Sequence, residues 1–209
     1  MEILSFSGKD LATRSAAQIK YLRDHPEART VNPNMLKGEN RQHEIAMILG
    51  GIEELKSELR FNNIVISCCH DLVNLDDRTV TEIKSIDPER QVEEWYFHNS
   101  IVQCVLYDTI IHYTGGIMST PVFRIKQGFK NITVTLNRKS YRLLFGNELY
   151  EINVNPDNYI DIIRYFEIKA EYTRKSYETA KSYDIIHSKH HFDDLRPYFE
   201  YHKLKTIKP

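Results

Sequence analysis

The 209 residues carry 28 Lys and Arg against 29 Asp and Glu, a formal net charge of −1, with 41% hydrophobic and 27% charged residues. That balance describes an ordinary globular protein with room for one domain rather than two, and it leaves nucleic-acid binding open, because a basic cleft can coexist with an acidic remainder. No apolar run approaches the roughly 20 residues that span a bilayer, and Cys68, Cys69 and Cys104 have no metal-type spacing, so a reduced cytoplasmic setting without a membrane is expected.

In chain order, a short helix is predicted around Leu11–Arg23, ended by His25-Pro26, and "TVNPN" at 30–34 reads as loop. From Met35 to about Leu59, Ile45, Ile48, Leu49, Ile52, Leu55 and Leu59 repeat at i, i+3, i+4. That spacing predicts one long helix with a bend at Gly50-Gly51. Two strands follow, 62–74 and 79–86, joined by the turn Asp76-Asp77-Arg78. A second helix is predicted over Gln91–Tyr113, with Val92, Trp95, Asn99, Val102, Leu106 and Ile110 on one stripe, ended by "TGG" at 114–116. Strands near 121–126, 131–137 and 140–145 come next, the last turning at Gly146-Asn147 into 148–154. A long amphipathic helix, Pro156 to Tyr183, precedes a His-rich tail expected to pack or to face a partner. The order of helix, strands, helix, strands and helix makes an α/β arrangement.

The stretch around 70–85, "HDLVNLDDRTVTEIKS", places an acid and a base on one strand face. Side chains alternate along a strand, so Glu82 and Lys84 point the same way. Asp71 lies on the preceding strand, 11 positions earlier, where pairing of the two strands can bring it beside Glu82. An acid and a base inside a sheet are costly unless something compensates them.

Ordered motifs over about residues 38–107 resemble the PD-(D/E)XK nuclease superfamily, nearest its RecB-like branch. Gly38 with His43, in "GENRQHEIAMILGG", resembles the branch's first motif. Asp71 stands at the family's metal-binding aspartate, Glu82-Ile83-Lys84 matches E-x-K, and Gln103 with Tyr107 matches Q-x-x-x-Y on the following helix. The resemblance implies a restriction-endonuclease-like core, a central mixed β-sheet flanked by helices. The expected organisation is one domain over 1–209 with a helical C-terminal extension from about 156. It further implies a Mg²⁺- or Mn²⁺-dependent deoxyribonuclease of DNA recombination, repair or replication, with Asp71, Glu82, Lys84, Gln103 and Tyr107 in the site.

The chemistry suits those residue types. Hydrolysis of a phosphodiester needs a divalent cation to neutralise charge and supply a nucleophilic water, and hard cations take carboxylate oxygens. Lys84 can orient or deprotonate that water and stabilise the pentacoordinate charge. A ligand from the first helix is either His43, the better motif match, or Glu44, which aligns with Ile48, Ile52, Leu55 and Leu59 on the apolar stripe; archaeal Holliday-junction resolvases of the superfamily use a glutamate there. Three cysteines, two adjacent, do not support the iron–sulfur cluster of some RecB-like relatives. His70 replaces a glycine usual before the motif aspartate and is expected on the face opposite Asp71.

DNA is the expected partner, with Lys37, Arg41, Lys126, Lys130, Arg138, Lys139 and Arg142 as candidates for a phosphate-tracking groove. Two further readings stand beside a stand-alone nuclease. One is a junction-resolving homodimer using the long helix as interface, and the other a catalytically silent nucleic-acid-binding protein.

Overall fold

A computed structural model of the chain describes residues 4–28, 33–61, 64–86, 91–113, 122–127, 130–135, 140–179 and 191–207. The elements are β1 (Leu4–Ser7), α1 (Gly8–Thr13), α2 (Ala16–Asp24), α3 (Pro33–Leu49), β2 (Ile52–Phe61), β3 (Ile64–Asn74), β4 (Thr79–Lys84) and α4 (Glu94–His112). After these come β5 (Val122–Gln127), β6 (Lys130–Thr135), β7 (Ser140–Phe145), β8 (Glu148–Val154), α5 (Tyr159–Thr179), α6 (His191–Leu195) and β9 (Phe199–Thr206). Among the described residues the strands form one mixed sheet flanked by helices, in the order β6-β5-β2-β3-β4-β7-β8-β9, with β1 also paired to β3. The α/β architecture with a central mixed sheet is therefore as the sequence implies.

The meander β2-β3-β4 is antiparallel, and α4 crosses over so that β7 returns parallel to β4. Two cores lie on the two faces. The larger joins the sheet to α1, α4 and α5 through Leu11, Ile64, Ile66, Val80, Leu106, Leu143 and Phe166. The smaller puts Ala46 of α3 against Leu72, Ile83 and Leu144. Along β4, Val80 joins the larger core and Ile83 the smaller, so Glu82 and Lys84 face α4.

The single helix expected from Met35 to Leu59 is not formed. α3 stops at Leu49, and residues 52–61 are β2. Gly50 and Gly51 take φ of 67° and 140°, and a Cβ on Gly51 would come within 2.7 Å of the Val73 carbonyl oxygen, so these glycines form a sharp turn onto the sheet rather than a bend. The apparent 3.6-residue stripe joined a helical face, Ile45 and Leu49, to a two-residue strand alternation in which Leu55, Ser57 and Leu59 are buried. The N-terminal helix is likewise two helices, preceded by the unanticipated β1. A capping box closes the start of α2, with Ser15 Oγ accepting from the Gln18 amide and the Gln18 side chain accepting from the Ser15 amide. The C-terminal extension is not wholly helical, for β9 pairs antiparallel with β8 at the sheet edge. His187 and His190 of the tail lie outside the described residues. Among the described residues no helix is long and apolar enough to cross a membrane.

One polar contact ties this extension to the front of the molecule. Lys169 of α5 donates to the Leu11 carbonyl of α1 and lies 2.5 Å from His191 Nε2, while Tyr165 bonds His191 and Asp194. Burial pushes the Lys169 amine down to about 7 from an ordinary 10.5. A lysine with a lowered folded pKa is charged in the unfolded chain but neutral in the folded one between those values, so the unfolded state binds more protons there. Stability contributed at this position should rise with pH from about 7 towards 10. Urea midpoints at pH 7 and pH 9 should show that rise in the wild type and a flatter response in Lys169→Met.

Candidate active site

The site forms where β3 changes partners. β1 runs parallel to residues 64–67 of β3, and β4 runs antiparallel to residues 72–74 on the same edge. Residues 68–71 lie between the two pairings. At this fork the chain leaves β1 at Ser7 and enters α1, and Gly8 lies directly over Cys68 and Tyr107. A Cβ there would stand 2.7 Å from Cys68 Sγ and 2.9 Å from Tyr107 Cε1. The glycine is what allows α1, and with it Lys9, to sit against the fork.

A break in strand alternation aims the aspartate. Between the pairs Glu53↔Leu72 and Leu55↔His70, Glu54 takes a left-handed φ of 57°, uncommon outside glycine. Before the irregularity Ile64, Ile66 and Cys68 face the larger core; beyond it Val73 does, and Leu72 faces α3. Alternation with Val73 puts Asp71 on the α4 side, where Glu82 is. The break in alternation also corrects the expectation for His70. It is fully buried on the α4 side, 2.8 Å from Ser57 Oγ and 3.1 Å from the Tyr141 hydroxyl, with its ring edge on Tyr107. Burial holds its pKa down at about 3, so it is a neutral core group.

Asp71, Glu82, Lys84 and Gln103 are brought together. Asp71 Oδ2 accepts the Ile83 amide at 2.7 Å, which ties β3 to β4 beyond their regular ladder. Glu82 Oε1 accepts from Lys84 Nζ at 2.5 Å and from Gln103 Nε2 at 2.6 Å. Glu82 Oε2 is buried without a hydrogen-bond partner among the described residues. Tyr107, one turn beyond Gln103 on α4, is 3% exposed; it supports Gln103 and Gly8 from below, and burial holds its hydroxyl well above the ordinary range.

Electrostatics mark the cluster as charged beyond its own needs. Burial, reinforced by the Glu82 carboxylate, pushes Asp71 up to about 7. Burial alone would lower Lys84, but Glu82 and Asp71 outweigh it and hold the ammonium above the ordinary lysine range. Lys9 is held below its ordinary value, first by the charge of Lys84 and then by lost solvent. Lys9 was not singled out in the sequence; its signal is the strand-to-helix step "LSFSGKD", readable only once Leu4–Ser7 is recognised as a strand.

His43 and Glu44 are not brought to this cluster. α3 packs on the sheet face opposite α4. His43 is exposed there, with Nδ1 2.9 Å from Glu53 Oε1, and Glu44 is exposed. Glu44 was aligned with a stripe that does not exist: Ile48 is 65% exposed, and the rest belongs to β2. Among the described residues no group of three or more His, Cys, Asp and Glu side chains could hold a metal ion. Of the candidates for a basic groove, only Arg41 and Arg142 have described side chains. Arg41 donates to the Ile86 carbonyl and to Asn147 Oδ1, and Arg142 shares the α3-side face of β7 with Leu144. Arg138, Lys139 and the side chains of Lys37, Lys126 and Lys130 lie outside the described residues.

A cleft of about 350 Å³ opens over the cluster. Lys84 and Gln103 form its floor, Lys9, Arg14 and Gln18 one wall, and Trp95, Tyr96 and Asn99 of α4 the other.

Comparison with known protein families and with characterised proteins finds no match. One solved structure is similar, the crystal structure of SSO0001, at 12% identity over 80% of this chain and 77% of that one, with a TM-score of 0.46. A likeness at that level carries no argument about function.

Proposed function

We propose that this protein is a metal-dependent DNA nuclease that hydrolyses phosphodiester bonds in the cleft above Asp71, Glu82 and Lys84. The observation that carries the reading is the orphaned Glu82 Oε2. The glutamate already satisfies one oxygen with Lys84 and Gln103 while the other is buried and unbonded, beside a second carboxylate whose ionisation that burial opposes. A buried acceptor left without a donor costs about 1–3 kcal/mol. A cation is the natural partner for such an oxygen beside a second carboxylate, and Mg²⁺ is commonly held by only one or two carboxylates, with waters completing its octahedron. The residues therefore fit Mg²⁺ or Mn²⁺, with Asp71 and Glu82 as the protein ligands; His43 and Glu44 are not needed for it.

Such an ion would supply charge neutralisation and a more acidic water. The chain's own part is positional. Gln103 fixes the Glu82 carboxylate in plane, and the Ile83 amide fixes Asp71. Lys84, rigid and fully charged, offers donors to the phosphate oxygen on which charge builds in the transition state. Lys9 adds a second cation for the phosphate.

The test is a panel of end-labelled single strands, duplexes, flaps and junctions, incubated with Mg²⁺, Mn²⁺ or chelator. At least one form should be cut, only with metal. No cleavage of any form, or cleavage indifferent to chelator, rejects the reading.

A further inference from the structure

We infer that the cleft contains a nucleobase subsite, in which an unpaired base stacks on Trp95 while its phosphate faces Lys9 and Lys84. The inference rests on the nuclease reading only for what happens to the phosphate afterwards; the binding claim stands on the cleft itself.

The first observation is an aromatic wall that burial does not explain. α4 is buried almost all round from Asn99 onward, yet its first turn presents Trp95 at 43% and Tyr96 at 36% exposure to the cleft. Trp95 was expected on the buried stripe of this helix and is not there. The rings are also held in place. The Trp95 indole N–H donates to Glu93 Oε2, and the Trp95 and Tyr96 rings meet edge to face at 5.9 Å. Tyr96 leans on Phe145 at 5.7 Å, and Phe145 is braced in turn by Phe97 at 5.0 Å. A braced ring loses little entropy when a ligand stacks on it.

The second observation is charge. Lys9 and Lys84 line the same small space, Lys84 with its ammonium also on Glu82 Oε1. Two ammonium groups facing one cavity are complementary to an anion. Aromatic face and paired cations together match a nucleotide: a flat apolar base and a phosphate.

Size and geometry favour an unpaired base. The cleft, about 350 Å³, lies at the small end of ligand pockets, ~300–1,000 Å³. Inside a duplex every base face is covered by its neighbours, so away from duplex ends only a single-stranded or splayed nucleotide can offer one to Trp95. Trp95 lies eight residues before Gln103 on α4, ~12 Å along the helix. The subsite therefore sits beside the Glu82 cluster rather than on it, where it would hold a flanking nucleotide and set which strands are admitted.

Trp95 is the sole tryptophan of the chain, so its fluorescence reports on the subsite directly. The intact protein is titrated in chelator, without cleavage, with a short oligodeoxythymidylate and with a blunt duplex of equal length. The single strand should quench Trp95 and the duplex should not. By anisotropy of a labelled single strand, Trp95→Ala should weaken binding about tenfold or more, and Trp95→Phe should restore most of it. No quenching by the single strand, equal quenching by the duplex, or unchanged affinity in Trp95→Ala overturns the subsite. Failure of the nuclease reading would look different: quenching intact, but no strand cut when metal is added.

Discussion

Lys84→Ala should abolish cleavage and also destabilise the protein, by about 3–5 kcal/mol, because it removes one partner of a buried ion pair. Read from the sequence alone, Lys84 is a residue needed for the chemistry and dispensable for the fold. Its burial changes the second half of that expectation. The Lys84 and Glu82 side chains are 11% and 2% exposed, so truncating the lysine leaves a buried carboxylate whose remaining hydrogen bond among the described residues is to Gln103. The loss of rate and the loss of stability can be separated. In Glu82→Gln/Lys84→Met both charges go together, and replacing a buried pair by neutral groups of similar volume is often close to neutral. The double variant should melt near the wild type and remain inactive. If Lys84→Ala melts with the wild type, the ion pair is not buried as described.

Asp71→Asn should stabilise the metal-free protein and eliminate its response to Mn²⁺. Burial and Glu82 raise the Asp71 pKa to about 7 from an ordinary 3.8. A carboxyl with a raised folded pKa binds its proton in the fold while the unfolded chain has lost it. Its cost is therefore absent below about pH 4, grows between pH 4 and 7, and is fully present above. Asparagine keeps an oxygen for the Ile83 amide and carries no charge. The gain in melting temperature should thus be several degrees at pH 8 and small at pH 5. Wild type should gain further stability as Mn²⁺ is added, by mass action on the folded state, and the variant should not. A variant that melts lower than wild type at pH 8, or that still responds to Mn²⁺, would remove Asp71 from the proposed metal site.

Much of the site was legible because its signals are local. Asp71 and Glu82 flank one short turn, Glu82 and Lys84 share a strand face by alternation, and Gln103 and Tyr107 are one helical turn apart. Hairpin and helix geometry suffice to bring such residues together. What failed depended on long-range choices. Gly50-Gly51 can bend a helix or end it, and only the sheet edge waiting at β3 decides that Ile52–Phe61 becomes a strand. With that misreading went the inward place given to Glu44. His70 was misplaced because strict alternation was carried through β3, whereas the irregularity at Glu54 lies on a different strand. The place of Lys9 in the cleft, and the exposure of Trp95 despite its position on the helical stripe, have a related cause. Their partners in the cleft are distant in sequence, so no local pattern places them there.

The most direct test is the single-turnover cleavage rate of a DNA form the wild type cuts, measured with Mn²⁺ for wild type and for Glu82→Gln/Lys84→Met at temperatures where both are folded. The proposed site predicts metal-dependent hydrolysis by the wild type and a rate about a thousandfold lower or less in the double variant. Equal rates in the two proteins would contradict it, whatever the DNA form.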